Sequence, residues 1–170
     1  ELAPYLPVPV IQKDRGVYGP NYDRPHSIGK VRAFYGNFGV ILKAYAYILS
    51  MGSEGLKRAS QMAVLNANYL RKRLKDYYHL PYNRPCMHEC VFTDRFQEKS
   101  HVSTLDIAKR LIDYGYHPPT IYFPLVVKAA LMMEPTETES KESLDGFIET
   151  MIAIAKEAEA VSYTHLTLPT

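Results

Sequence analysis

The sequence predicts an α/β chain in which a short mixed or antiparallel sheet packs with helices, an α+β small domain behind a largely extended N-terminal segment. Three observations carry that expectation. Cys86–Phe92, supported by Val91 and Phe92, and the apolar run Ala129–Met133 have strand length and composition. Around them, apolar residues recur at spacings of three and four over Leu56–Leu74, Leu105–Ile112 and Leu144–Ala155, the period of a helix buried on one side. Finally, Gly and Pro fall between these segments, where a chain must turn.

Residues 1–32 show no helical period. Val8, Val10 and Ile11 are expected in a strand, and Val17–Tyr22 in another, with Gly19-Pro20 as a turn. Asn37 is expected to cap a helix, its side-chain oxygen accepting from an orphan backbone N–H. That helix runs through Val40–Met51 and stops at Gly52. It is apolar on nearly all sides, which predicts burial. Ser53 caps the next helix, whose stripe is Leu56, Ala59, Ala63, Ala67, Leu70 and Leu74. The Lys and Arg residues on its other faces read as a solvated surface. His79–Pro85 is a loop and Cys86–Phe92 a strand. Ser103 or Thr104 caps a helix striped by Leu105, Ala108, Leu111 and Ile112, closed by Gly115. His117-Pro-Pro-Thr-Ile-Tyr-Phe-Pro124 follows as a rigid loop, because each proline locks φ and removes a donor. Ala129–Met133 is a buried strand. Thr138 or Ser140 caps a last helix with Leu144, Phe147, Ile148, Met151, Ile152 and Ala155 facing inward.

Composition excludes several functions. A net charge of +2 on 170 residues is too small to imply a nucleic-acid or membrane partner. No apolar run approaches the roughly 20 residues that span a bilayer. Two cysteines make no disulfide framework, which favours a reducing, cytoplasmic setting. Fourteen tyrosines suit an interface or a ligand cleft, and an ordinary core boundary almost equally. The chain opens at Glu1, inside a proline-spaced apolar segment that reads as the middle of a protein. Residues 161–170 break with the helix before them and read as translated adapter sequence. The expected division is 1–50, 51–160 and this tail.

Several groupings are chemically suggestive. On a strand, Cys86, His88 and Cys90 would share a face, offering zinc ligands or a Cys–His nucleophile pair. No second Cys/His pair accompanies them, so packing is the stronger reading and no metal is expected. His88 and Glu89, as strand neighbours, would point oppositely and not serve one ligand. Gly36-Asn37-Phe38-Gly39 opens a helix whose free N–H groups suit a phosphate, yet it lacks the Walker and dinucleotide spacings. Glu139 and Glu142 complement the last helix's dipole. Glu134, ahead of a proline, is less well explained that way.

Taken together, Leu6-Pro-Val-Pro-Val10, Asp23-Arg-Pro, Ser27-Ile-Gly, Val31-Arg-Ala-Phe-Tyr-Gly-Asn-Phe-Gly39, Met51-Gly, Leu65-Asn-Ala-Asn-Tyr-Leu70, Arg84-Pro-Cys-Met-His-Glu89, Asp113-Tyr-Gly, His117–Pro124 and Glu134-Pro-Thr-Glu-Thr-Glu139 resemble the glycine decarboxylase family. These are the P-proteins of the glycine cleavage system, and the likeness is to the C-terminal part of subunit 2 in the two-subunit bacterial form. It runs from Glu1 to about Ala160. The resemblance implies a fold-type I, pyridoxal-phosphate-dependent transferase and an oxidoreductase pathway. The family decarboxylates glycine and passes the aminomethyl group to the lipoyl arm of H-protein, with subunit 1 as a further partner. The cofactor supplies an electron sink. The lysine that anchors it is expected upstream of Glu1, since Lys13, Lys30, Lys43 and Lys128 do not stand in the matching context. No catalytic residue is therefore expected in this fragment, which should be inactive alone. The resemblance further implies that Gly36 and Asn37, with Tyr35 beside them, meet the cofactor phosphate across a subunit interface. His88, His117 and Thr120 would face the substrate. Cys90 departs from the family's usual aromatic. Two rivals stand beside this reading: another fold-type I enzyme, aminotransferase-like or desulfurase-like, and a non-catalytic partner-binding module. An arginine for a substrate carboxylate, Arg84 or Arg95, would favour an aminotransferase.

Overall fold

The computed structural model describes residues 1–32 and 36–164. Ala33, Phe34 and Tyr35, and residues 165–170 of the tail, lie outside the described residues. The chain divides into two compact units, one over Glu1–Ser50 and one from Met51 onward.

In the first unit, strands β1 (Val10–Asp14) and β2 (Val17–Asn21) form an antiparallel hairpin, with Val10 opposite Asn21 and Asp14 opposite Val17. The turn is Arg15-Gly16, both with positive φ (46° and 86°), the two-residue connection whose twist matches that of the strands. Gly19-Pro20, expected as the turn, lies inside β2, where Pro20 faces Ile11. An isolated two-stranded ribbon has edges on both sides, so it tolerates the missing donor. Val8, expected in the first strand, precedes it and donates its N–H to the Gly29 carbonyl (3.2 Å). Arg24 Nη2 donates to the Ala3 carbonyl (2.6 Å) and Ser27 Oγ to the Leu6 carbonyl (2.5 Å), folding the loop after β2 back onto the N-terminal segment.

Helix α1 (Phe38–Leu74) begins after Asn37, whose Oδ1 accepts from the Val40 N–H (3.3 Å), and is broken at Gly52 (φ 61°, ψ −176°). The cap and the stop are as expected, but the burial is not. Phe38, Val40, Ile41, Tyr45, Ile48 and Leu49 are all more than half exposed. A helix that is apolar all round needs apolar surface on several sides. Among the described residues, its own unit offers only a hairpin and loops, which do not provide it.

After Gly52 the same helix behaves as predicted. Ala67, Leu70 and Leu74 are buried, while Leu56, Ala59 and Ala63 are half-buried. Strand β3 (Cys90–Thr93) is shorter than the expected Cys86–Phe92. The reason lies in Asn68, whose Oδ1 accepts from the Cys86 N–H (3.1 Å) while its Nδ2 donates to the Cys86 carbonyl (2.7 Å). Those backbone groups are taken by a helix side chain and cannot join the ladder.

Helix α2 (Thr104–Asp113) starts with a capping box: Ser103 Oγ accepts from the Asp106 N–H (3.3 Å), and the Asp106 carboxylate accepts from the Ser103 N–H (2.9 Å). Its buried stripe is Thr104, Ile107, Ala108 and Leu111, with Leu105 and Ile112 exposed. The predicted stripe is thus rotated. Buried Asp94 accepts from both the N–H (2.7 Å) and the hydroxyl (3.0 Å) of Thr104, which draws that side of the helix inward. Gly115 (φ 84°) ends α2: its N–H reaches the Ile112 carbonyl (2.8 Å), and the Tyr116 N–H reaches that of Leu111 (3.0 Å).

Strands β4 (Thr120–Ile121) and β5 (Ala130–Met133) complete a sheet in the order β3-β5-β4. Cys90 lies opposite Met133 and Thr93 opposite Ala130, while Thr120 lies opposite Met132. Helix α3 (Lys141–Thr164) is capped by Ser140, whose Oγ accepts from the Ser143 N–H (3.1 Å). Leu144, Ile148, Met151 and Ala155 are buried, joined by Ile154 and Ala158; Phe147 and Ile152 are partly buried. α3 continues past Val161, where the change in sequence character predicts its end. Tyr78, Phe92, Leu131, Ile148 and Met151 form the centre of this core. No described helix is long and apolar enough to cross a membrane.

Candidate functional site

The sheet topology assembles the site. β5 pairs antiparallel with both β3 and β4, so β3 and β4 run the same way, and both begin where β5 ends. Three segments therefore meet at one edge of the sheet. His88 stands just before β3, the His117-Pro118-Pro119 segment leads into Thr120 at the start of β4, and Glu134 directly follows β5.

A cleft of about 420 Å³ opens here, lined by His117, Thr120, Glu134 and Glu139, with Tyr116 and Phe147 among its apolar walls. The aromatic rings meet edge to face, with centroids 5.6 Å apart. Gly146 makes room for this arrangement, since a Cβ there would lie 2.8 Å from the Tyr116 hydroxyl. Glu139 accepts from Ser143 Oγ (2.5 Å), which holds its carboxylate at the start of α3. The two prolines stiffen the wall that carries His117.

His88 is not in the lining but reaches it through Glu134: His88 Nε2 lies 3.4 Å from Glu134 Oε1. Both side chains are 54% exposed, so as an ion pair the contact is worth only about 1 kcal/mol or less. Glu89 joins them, and donor atoms of His88, Glu89 and Glu134 lie within 4.8 Å of one another. The expectation that His88 and Glu89 cannot act together is overturned. Both sit in the loop before β3, where strand alternation does not apply. Sequence reasoning isolated Glu134 as unexplained but missed its grouping with Glu89. The signal that finds it is the strand register, available only once Cys90 and Met133 are known to be opposite.

The cysteine cluster fails for the same reason. With Cys86 in the loop and Cys90 on β3, the shared strand face does not exist. Burial, ahead of other causes, raises the pKa of both thiols. A thiol so placed stays protonated at neutral pH and is a poor nucleophile.

Gly36 and Asn37 belong to the other unit, at the entrance of α1. Gly36 has φ 124°, a left-handed conformation that disfavours side chains, and a Cβ there would also crowd Ile41 Cδ1 at 3.3 Å. Asn37 is exposed, and its side chain caps the helix. Tyr35 lies outside the described residues. Arg95 follows the far end of β3, where its Nη1 is 3.5 Å from His79 Nε2. Neither Arg84 nor Arg95 lines the cleft, so the aminotransferase-like reading loses its anchor.

The unit from Met51 onward is an α/β domain, an antiparallel sheet packed with helices, with His88 and His117 in loops at one end of that sheet. The same fold occurs in a crystal structure of glycine decarboxylase (P-protein) of the glycine cleavage system in inhibitor-bound form. The match covers 89% of this chain and 36% of that one, with a TM-score of 0.68 and 16% sequence identity, a likeness of fold. Residues 59–168 match the family described as glycine dehydrogenase, C-terminal domain, and the chain belongs to that family. It is 64% identical over 159 residues to the probable glycine dehydrogenase (decarboxylating) subunit 2 of Caldanaerobacter subterraneus subsp. tengcongensis, and 64% identical to that of Halalkalibacterium halodurans, covering 94% of this chain and 33% of each relative. The corresponding protein of Bacillus cereus strain G9842 is 60% identical, with 32% of its length covered. The chain thus spans about a third of the curated relatives it matches.

Proposed function

We propose that this chain is the small α/β domain, with its connecting segment, of subunit 2 of a cytoplasmic glycine decarboxylase. Residues 1–50 belong to the end of the large cofactor domain and 51–160 to the small domain. The parent enzyme takes glycine, works with subunit 1, and delivers the aminomethyl group to lipoylated H-protein. The observation that carries this reading is the family match over residues 59–168, the unit whose cleft gathers His117, Thr120 and Glu134.

Pyridoxal phosphate fits the residues present at the entrance of α1. Gly36 lets backbone approach an anion closely, and the start of a long helix favours negative charge. Gly36 and Asn37 would hold the phosphate. When bound, the cofactor supplies the electron sink for loss of the carboxylate. No lysine of this chain is assigned as its anchor, so the 170-residue chain alone is expected to be inactive.

This chain's own residues act by position. His117 and Thr120 present a donor and a hydroxyl from a proline-stiffened wall. Tyr116 and Phe147 give the same cleft an apolar wall. The test uses full-length subunit 2 assembled with subunit 1 and H-protein. His117→Ala is expected to lower glycine-dependent CO₂ release by about 10²-fold, the scale of a lost positioned polar group, without changing cofactor content. Asn37→Ala is expected to weaken cofactor affinity. Unchanged turnover in the first variant, or unchanged affinity in the second, would remove that residue's role.

A further inference from the structure

We propose that His88, Glu89 and Glu134 form a binding site for one divalent first-row metal ion, with zinc the best-fitting ion. The site is independent of the decarboxylase reading, because it rests on the sheet register and on donor geometry alone.

The register supplies the first argument. Cys90 lies opposite Met133 at the last rung of the β3–β5 ladder, so Glu89 and Glu134 leave that rung on neighbouring chain segments. Carboxylates held this close repel each other, and a bound cation would relieve that repulsion. His88 is adjacent, and its imidazole, neutral at the metal, completes a mixed nitrogen and oxygen set.

Distance supplies the second argument. Zinc bonds to imidazole nitrogen and carboxylate oxygen at about 2.0–2.2 Å, and tetrahedral donors around such an ion stand about 3.4 Å apart. His88 Nε2 and Glu134 Oε1 already stand 3.4 Å apart. The three donors lie within 4.8 Å of one another, so the remaining closure is a side-chain rotation of about 1–1.5 Å in groups that retain solvent access. The three ligands come from two chain segments pinned by one ladder, so the backbone, not the metal, brings them together. Three protein ligands leave a coordination position open, the arrangement of metal sites that bind an exchangeable ligand. The imidazole nitrogen favours zinc over manganese in the general affinity order, and the tetrahedral spacing of His88 and Glu134 favours zinc over copper(II), which takes square-planar sets. Because Glu134 also lines the cleft, a bound ion would sit at its rim.

Zinc titration followed by calorimetry, into the full chain carrying Ile41→Glu and Ile48→Lys to suppress association through the exposed face of α1, tests the site, with cobalt(II) absorption as a second readout of coordination. One equivalent of zinc should bind with a micromolar Kd and raise the melting temperature. His88→Ala and Glu134→Gln should each weaken binding at least tenfold, and His101→Ala, a distant exposed histidine, should not. If His88→Ala does not fold, Glu134→Gln alone decides, since it preserves shape and removes only the charge. The proposal is overturned if zinc shows no saturable binding, or if binding is unchanged in Glu134→Gln. Neither result bears on glycine turnover by the assembled enzyme, so the two readings fail separately.

Discussion

At the scale of single residues, one acidic group shows how the fold depends on pH. Glu157 on α3 accepts two hydrogen bonds from Arg110, from Nε (2.8 Å) and Nη2 (3.1 Å), and a third from the Tyr114 hydroxyl (2.6 Å). The Arg110 hydrogen bonds, chiefly, hold the Glu157 carboxyl below its ordinary value; partial burial opposes them and Tyr114 reinforces them. A depressed native value means that the stabilisation is fully present above the unfolded carboxyl pKa, about 4.3, and is lost as pH falls through the native value. The side chains are 43% and 41% exposed, which limits the pair to about 1 kcal/mol. Glu157→Gln should therefore lower the melting temperature by a few degrees at pH 7, and the difference from the parent chain should close below about pH 4. A difference independent of pH would show that the carboxylate charge does not matter. Tyr114 explains why the pair is ordered on an exposed surface: it follows Asp113 at the helix end, and its ring also lies under the Arg110 guanidinium, 4.8 Å from centroid to Cζ.

At the scale of elements, β5 is the member that everything else needs. It is the central strand, and Leu131 on it is fully buried among residues of α2, α3 and β3. Leu131→Ala should cost about 2–5 kcal/mol by leaving a cavity in a core that cannot collapse around it, measured by denaturant unfolding. A loss under 1 kcal/mol would mean that the sheet repacks. β5 was legible in the sequence because Ala129–Met133 is a continuous apolar run between Lys128 and Glu134-Pro135. So were the ends of α2 and α3, where Ser103, Gly115 and Ser140 act through chemistry local to a few residues. The start of β3 was not legible, because Asn68, some twenty residues earlier, competes for the backbone of Cys86. Nor was the rotation of α2, which is set by Asp94 on another segment. The cleft was half legible: His117 and Thr120 stood out as a proline-framed motif, and His88 through the family likeness. The meeting of Glu89 with Glu134 is a consequence of register, and register is a long-range quantity.

At the scale of the whole molecule, the first half of α1 decides how the chain behaves in water. Phe38 is 75% exposed and Leu49 65%, and several more large apolar side chains lie along the same segment. Exposed apolar surface of this kind drives association. The 170-residue chain should therefore self-associate at micromolar concentration, seen as concentration-dependent light scattering, and Ile41→Glu with Ile48→Lys should suppress it. A monomer at all concentrations would show that this surface is inert. The double variant is expected to leave the unit from Met51 onward folded, because that unit carries its own closed core.

β5 is shared by both of its neighbours, and that has a consequence for length variation. Side chains alternate along a strand, so one extra residue within 130–133 would reverse the facing of every later position in the strand and misalign both ladders at once. His88, Thr120 and Glu134 would lose their common edge through a single codon. The same codon added between Leu125 and Val126, at the opposite end of the sheet, would enlarge a turn closed by the Val127 N–H on the Pro124 carbonyl (3.0 Å), at two side chains already open to solvent. Insertional scanning of this region should therefore show length tolerated at Leu125 and Val126 and forbidden from Ala130 onward, with Val127 and Ala129 already tied to the core.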